Sequence, residues 1–156
     1  MLSIHTITEE SRELEIVRTL FLEYADELNE NLCFQSFDDE LVNPLKKYGL
    51  PNGSLLLAYW NQQPAACIAL QPLEQPGVCE MKRLYVRPQY RKLGIADELI
   101  KALLTEAQRI GYKKMVLDTL EKLQPAIKLY TKFGFSNTSA YYQNPLPNVV
   151  YMEKPL

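Results

Sequence analysis

The sequence predicts a mixed α/β fold: a central, mostly antiparallel sheet of about seven strands with helices on both faces, in the order β-α-α-β-β-β-α-β-α-β-β. Three observations carry this expectation. Residues 54–86 hold three strand-like runs joined by short turns, the layout of consecutive antiparallel strands. Residues 78–119 read as strand, glycine turn, amphipathic helix, strand, which is a β-α-β crossover and requires a parallel pair. Two further apolar stripes, near the N-terminus and around Tyr130, have helical spacing and supply layers for the sheet.

The elements follow in chain order. Leu2, Ile4 and Ile7 suggest a short first strand. Thr8 is the expected cap of a helix whose stripe is Leu14, Val17, Phe21, Tyr24 and Leu28. Ser36 with Asp39 resembles a capping box for a second, short helix that Pro44 interrupts or ends, and Gly49, Pro51 and Gly53 punctuate its exit. Strands at 54–60 and 65–70 flank the turn Asn61-Gln62-Gln63-Pro64, and Pro76-Gly77 turns into a strand at 78–86. Leu99, Ile100, Leu103, Ala107 and Ile110 trace the helix that Gly111 stops. An apolar strand at 114–119 precedes a helix at 125–133 closed by Gly134. Closing strands at 135–142 and 149–154 flank Asn144-Pro145-Leu146-Pro147-Asn148. With no internal repeat or low-complexity linker, residues 1–156 are expected to form a single domain.

Composition excludes several functions. The formal net charge is −2, from 17 Lys and Arg against 19 Asp and Glu, which argues against a nucleic-acid footprint. A mildly acidic surface suits an amine or cationic substrate. Cys33, Cys67 and Cys79 form no CxxC pair and His5 is the only histidine, so no metal site and no histidine-dependent dyad is expected. The odd cysteine count fits a reducing compartment, with Cys67 and Cys79 as small buried apolar residues. No signal peptide, lipidation motif or membrane-length apolar run is visible, and a cytoplasmic protein without a membrane partner is expected.

The chemistry concentrates in Arg87-Pro88-Gln89-Tyr90-Arg91-Lys92-Leu93-Gly94-Ile95-Ala96. A backbone that leaves a strand, passes a glycine and enters a helix aims several free N–H groups at one spot. The helix dipole adds positive potential there, so the turn suits a phosphate group. Arg87, Arg91 and Lys92 add charge to the same loop.

Two blocks together carry a family resemblance. Arg91-Lys92-Leu93-Gly94-Ile95-Ala96 matches Q/R-x-x-G-x-G/A, and Ala126-Ile127-Lys128-Leu129-Tyr130-Thr131-Lys132-Phe133-Gly134-Phe135 matches A-x-x-L-Y-x-x-x-G-F downstream. The chain resembles the GNAT superfamily of N-acetyltransferases, which move an acetyl group from acetyl-CoA to an amine, and its element order resembles that fold across nearly the whole chain. The resemblance implies that amides of Lys92, Leu93, Gly94, Ile95 and Ala96 cradle the CoA diphosphate, with Arg91 and Lys92 assisting. It implies that main-chain groups of Leu84, Tyr85 and Val86 pair with the pantetheine arm in a gap between splayed strands. It also implies that Tyr130 stands where many members keep an acid near the CoA sulfur. Two departures are visible: Lys92 occupies the usual second glycine, and Leu123 an asparagine position.

Glu80 is the candidate base that takes a proton from the amine, directly or through water, matching a glutamate that several members carry on this strand. Alternation groups Glu80, Lys82 and Leu84 on one face. A salt bridge of Glu80 with Lys82 or Arg83, and an ordinary core role for Tyr130, are the competing readings. A strand amide near Leu84–Val86 would stabilise the oxyanion. Attack is direct, because neither Cys67 nor Cys79 has an activating neighbour. Glu23, Tyr24, Glu27, Phe34, Phe37, Tyr141 and Tyr142 are candidates for the acceptor groove. The expected function is N-acetyl transfer to a small-molecule, amino-acid-derived or peptide amine. The alternative is an acyl-CoA-binding regulatory module without turnover. Oligomeric state stays open, a homodimer among the options.

Overall fold

In the computed structural model, which describes residues 1–156, seven strands form one sheet. They are β1 (Leu2–Thr6), β2 (Ser54–Trp60), β3 (Gln63–Pro72), β4 (Val78–Val86), β5 (Lys114–Leu120), β6 (Ser136–Asn137) and β7 (Val149–Pro155). The helices are α1 (Arg12–Leu28), α2 (Phe37–Val42), α3 (Pro44–Tyr48), α4 (Ile95–Ile110) and α5 (Gln124–Lys132). Spatial order in the sheet is β1-β2-β3-β4-β5-β7-β6. Every neighbouring pair is antiparallel except β4 with β5. The mixed, mostly antiparallel architecture read from the sequence is the one observed. No helix is long and apolar enough to cross a membrane.

Apolar layers cover both faces of the sheet. Leu99, Ile100 and Leu103 of α4 pack with Ile68, Leu70, Met81 and Leu117 on one face. Val17 and Phe21 of α1 pack with Tyr48, Leu55, Leu57, Cys67 and Ala69 on the other. Strand β3 feeds both layers, which explains its unbroken apolar run at 65–70. Each fully buried leucine or isoleucine here contributes about 1.5–3 kcal/mol relative to exposure.

Local signals were misread at three points, and a further short helix was not foreseen. Helix α1 is capped by Ser11, not Thr8; the Ser11 Oγ accepts from the Leu14 N–H at 3.3 Å. Ser36 precedes α2 with φ 56° and its side chain makes no cap, so no capping box forms. Pro44 ends α2 and also opens α3, where a missing N–H costs nothing. The strand expected at 135–142 shrinks to β6, because the chain leaves the sheet and turns its tyrosines toward β4 and β5.

The feature that shapes the site is in β4. Ala69 pairs with Lys82 and Cys67 with Tyr85, so Ile68 alone opposes both Arg83 and Leu84. This is a β-bulge, with Arg83 at φ 60°. It breaks the expected alternation. Lys82 and Arg83 both turn toward the α1–α3 side, whereas Leu84 packs against the α4 layer, away from Glu80 and Lys82.

Candidate active site

Strands β4 and β5 are paired only from Val78 with Lys114 to Glu80 with Val116, and then separate. Past that point β5 is fully paired with β7 on its other edge. The opening is a narrow cleft of about 90 Å³ lined by Leu84, Asp118, Leu123, Ala126 and Tyr130 among others. The Arg87 N–H donates to the Ala65 carbonyl of β3 at 2.9 Å. Successive strand residues turn their main-chain groups to opposite edges, so those of Tyr85 face β3 and those of Leu84 and Val86 face the gap. The Val86 carbonyl already accepts from Arg91 Nε at 2.9 Å.

Beyond β4 the chain makes a 3-10 turn at Pro88–Tyr90 and enters α4 through Gly94. Gly94 sits at φ 80° and offers no side-chain cap, which leaves the first-turn amides free. A Cβ there would meet nothing within 4 Å, so the glycine answers to backbone geometry and not to crowding. Lys92 takes φ 66°, the conformation that the missing glycine would have supplied. A small cavity bounded by Val86, Lys92, Gly94, Ile95 and Ala96 faces these amides. Leu93 is exposed on the same loop.

Two of the three loop cations are committed elsewhere. Arg87 pairs with Glu23 at 2.8 Å, and Arg91 makes a bidentate pair with Glu27 at 2.7 Å. Glu23 and Glu27 therefore tie α1 to the turn, and neither lines the cleft or the cavity around Glu80. Phe37 likewise stacks under the Arg83 guanidinium at 5.1 Å. Lys92 alone carries an unpaired charge.

Glu80 and Tyr130 line different cavities. Tyr130 belongs to the cleft, buried edge-on to Phe135. Burial pushes its phenol above the ordinary tyrosine value, and Tyr24 and Asp118 add to this, so it stays protonated. Glu80 lines a second cavity of about 510 Å³ with Phe34, Gln71, Tyr141 and Tyr142. It is 3% exposed and accepts from Gln71 Nε2 at 2.7 Å and from the Tyr141 hydroxyl. Gln35 and Lys82 line both cavities and stand between them.

Residues 13–135 match the family model described as acetyltransferase (GNAT) family. The chain belongs to the GNAT family. It is 48% identical over 142 residues to an uncharacterised N-acetyltransferase of Schizosaccharomyces pombe, covering 90% of this chain and 87% of that one. A Dictyostelium discoideum N-acetyltransferase, also uncharacterised, is 28% identical, covering 92% and 94%. Among solved structures, a GNAT acetyltransferase from Staphylococcus aureus superposes with TM-score 0.79 at 21% identity, covering 98% and 99%. An acetyltransferase from Streptococcus agalactiae gives 0.82 at 18%, covering 99% and 98%.

Sequence reasoning missed the side chains that hold this GNAT site together. Arg83, 3% exposed, donates to Glu40 at 2.7 and 3.0 Å and to Gln35 Oε1 at 2.9 Å. Lys82 Nζ lies 3.7 Å from Asp118 Oδ1, and Asp118 Oδ2 accepts from Asn144 at 2.8 Å and from the Tyr142 hydroxyl. The available signal was charge in otherwise apolar strands: Lys82 and Arg83 in β4, Asp118 in β5. Both buried thiols are raised by burial, Cys79 to about 12, so neither is a thiolate at neutral pH.

Proposed function

We propose that this GNAT protein transfers an acetyl group from acetyl-CoA to a primary amine by direct attack within a ternary complex. The observation that carries the reading is the gap between β4 and β5, with a helix N-terminus of free amides at one end and a second cavity at the other. The turn fits a diphosphate because Gly94 and Lys92 both hold left-handed backbone there and no side chain occupies the amides. The likeness to a Klebsiella pneumoniae structure assigned as an acyl-CoA N-acyltransferase, 27% identical with TM-score 0.74, supports an acyl-CoA donor. All 156 residues would serve as one catalytic domain, for which a cytoplasmic setting is the natural one.

In this reading, amides of Lys92, Leu93, Gly94, Ile95 and Ala96 hold the diphosphate, with Lys92 adding charge and Arg91 bracing the turn. Leu84 and Val86 direct main-chain groups to the pantetheine arm, and Tyr85 braces that strand from the β3 side. The amine enters through the second cavity as an ammonium, since a lysine-like amine has a pKa of about 10.4. Glu80 takes its proton, and the lone pair then attacks the thioester carbonyl. Tyr130 hydrogen-bonds the departing sulfur; its raised pKa makes it a donor that keeps its proton until the thiolate forms.

Release of free thiol from acetyl-CoA across a panel of amines, beside CoA titration by calorimetry, tests this. Glu80→Gln is expected to lower turnover by about 10²-fold or more while leaving CoA affinity intact. Equal turnover in that variant removes Glu80 as the base. CoA binding with no thiol release from any amine replaces the enzyme with a binding module.

A further inference from the structure

Lys82 stands where β4 and β5 part. Hydrogen bonding between the strands ends at Glu80 and Val116, and the next residues on the α1–α3 side, Lys82 and Asp118, straddle the opening. The Lys82 side chain is 6% exposed, and it lines both the cleft and the second cavity. An ammonium has three donors to satisfy. Here it makes no hydrogen bond to the protein; its one ion pair, with Asp118, is loose at 3.7 Å, and Asp118 already accepts from Tyr142 and Asn144. The neighbouring Arg83 has its partners in Glu40 and Gln35. A buried cation with open donors at the meeting point of two substrate cavities is a group whose acceptor comes with the ligand.

We propose that Lys82 is a catalytic residue whose Nζ donates a hydrogen bond to the thioester carbonyl oxygen and holds the negative charge that develops there. The proposal rests on the acetyl-transfer reading above. The amine lone pair forms the C–N bond as the carbonyl π pair moves onto oxygen, beside the Lys82 ammonium. That pair returns as the C–S bond breaks and the sulfur leaves with the bonding electrons. Glu80 holds the proton the ammonium shed before attack. The second amine proton, acidic once the C–N bond has formed, passes by way of the Tyr130 hydroxyl to the thiolate, giving free CoA thiol and the amide. Lys82 keeps its own proton throughout. Burial lowers the Lys82 pKa below the ordinary lysine value, while the charges of Glu80 and Asp118 oppose that shift and favour the cation. A fixed charge in a water-poor site acts strongly on an oxyanion and needs no reorganisation when the charge appears. The same cation repels an incoming ammonium, so the amine must shed its proton to Glu80 before reaching the carbonyl.

The test needs no acceptor amine. Acetyl-CoA labelled with carbon-13 at the carbonyl is bound to the wild-type protein, to Lys82→Met and to Lys82→Gln, with saturation set by calorimetry and folding checked by circular dichroism. The isotope-edited infrared stretch is expected at lower frequency on the wild type than on either variant, with acetyl-CoA affinity changed by less than about threefold. With an amine that the wild type acetylates, kcat falls by roughly 10²–10³-fold and the amine KM stays near its wild-type value. An identical carbonyl frequency in saturated wild type and variants overturns the proposal, as does a rise confined to the amine KM, which would make Lys82 an acceptor-binding group. Failure of the wild type to bind acetyl-CoA overturns the acetyl-transfer reading itself, and this proposal with it.

Discussion

Replacing Glu40 by glutamine strips the buried charge that neutralises Arg83. The Arg83 side chain is 1% exposed and that of Glu40 is fully buried. Glu40 accepts from Arg83 Nε at 2.7 Å, from its Nη2 at 3.0 Å and from Lys47 Nζ at 3.1 Å. Without the carboxylate, Arg83 keeps Gln35 and the rings of Tyr24 and Phe37, at 5.5 and 5.1 Å, contacts present in both states. An uncompensated buried charge of this kind costs about 3–5 kcal/mol. For a chain of this size each kcal/mol moves the melting temperature by about 2–4 °C, so Glu40→Gln should melt roughly 6–20 °C lower. Urea unfolding at neutral pH of the wild type, Glu40→Gln, Arg83→Met and the double variant measures the coupling. The double variant should lose less than the sum of the singles by about 2 kcal/mol or more, since neither charge is then stranded. Burial raises the Glu40 pKa, but the hydrogen bonds and charges of Arg83 and Lys47 outweigh it, leaving the carboxyl below its ordinary value. A depressed folded-state pKa means this stability is fully present above the unfolded value of about 4.3 and is lost as pH falls through the folded one. The wild type's advantage should therefore shrink in acid. A loss under about 1 kcal/mol, or strict additivity, refutes the reasoning.

Three other outcomes are expected. Gly94→Asp, which brings a carboxylate to the free amides of α4, should weaken CoA binding by calorimetry about 100-fold or more, whereas Gly94→Ala meets only the cost of φ 80° and should bind far better; equal loss in both would contradict the anion site. Lys92→Gly relieves left-handed strain, so its melting temperature should stay at or above wild type while CoA affinity falls; a lower melting temperature would mean that the side chain braces the turn. Incubation with acetyl-CoA should leave Cys67 and Cys79 unacetylated by mass spectrometry, since burial holds both thiols protonated; an acetyl group on either would revive a covalent route.

The glycine turn between β4 and α4 was legible in the sequence because backbone geometry defines it: a glycine between strand and helix announces its conformation. The strands and long helices were legible for a similar reason, as their periods repeat over many residues. What escaped depends on residues distant in sequence. Arg83 takes a left-handed conformation without being glycine, so the bulge that sends Leu84 to the opposite face left no local mark. Arg87 and Arg91 read as added positive charge on the loop, and nothing in the sequence signalled that α1 brings Glu23 and Glu27 against them, 64 residues away in each case. Tyr141 and Tyr142 read as strand, yet their hydroxyls bond Glu80 and Asp118, carboxylates on two other strands. Short caps failed too, since Thr8 and Ser11 are both suitable residue types and only the path of the chain decides between them.

A crystal structure of the protein with CoA bears most directly on the whole scheme. The diphosphate should accept from amides between Lys92 and Ala96, and the pantetheine arm should run along Leu84 and Val86, with its sulfur in the cleft shared by Tyr130 and Lys82. Density for CoA elsewhere on the surface, with the gap between β4 and β5 empty, would contradict it.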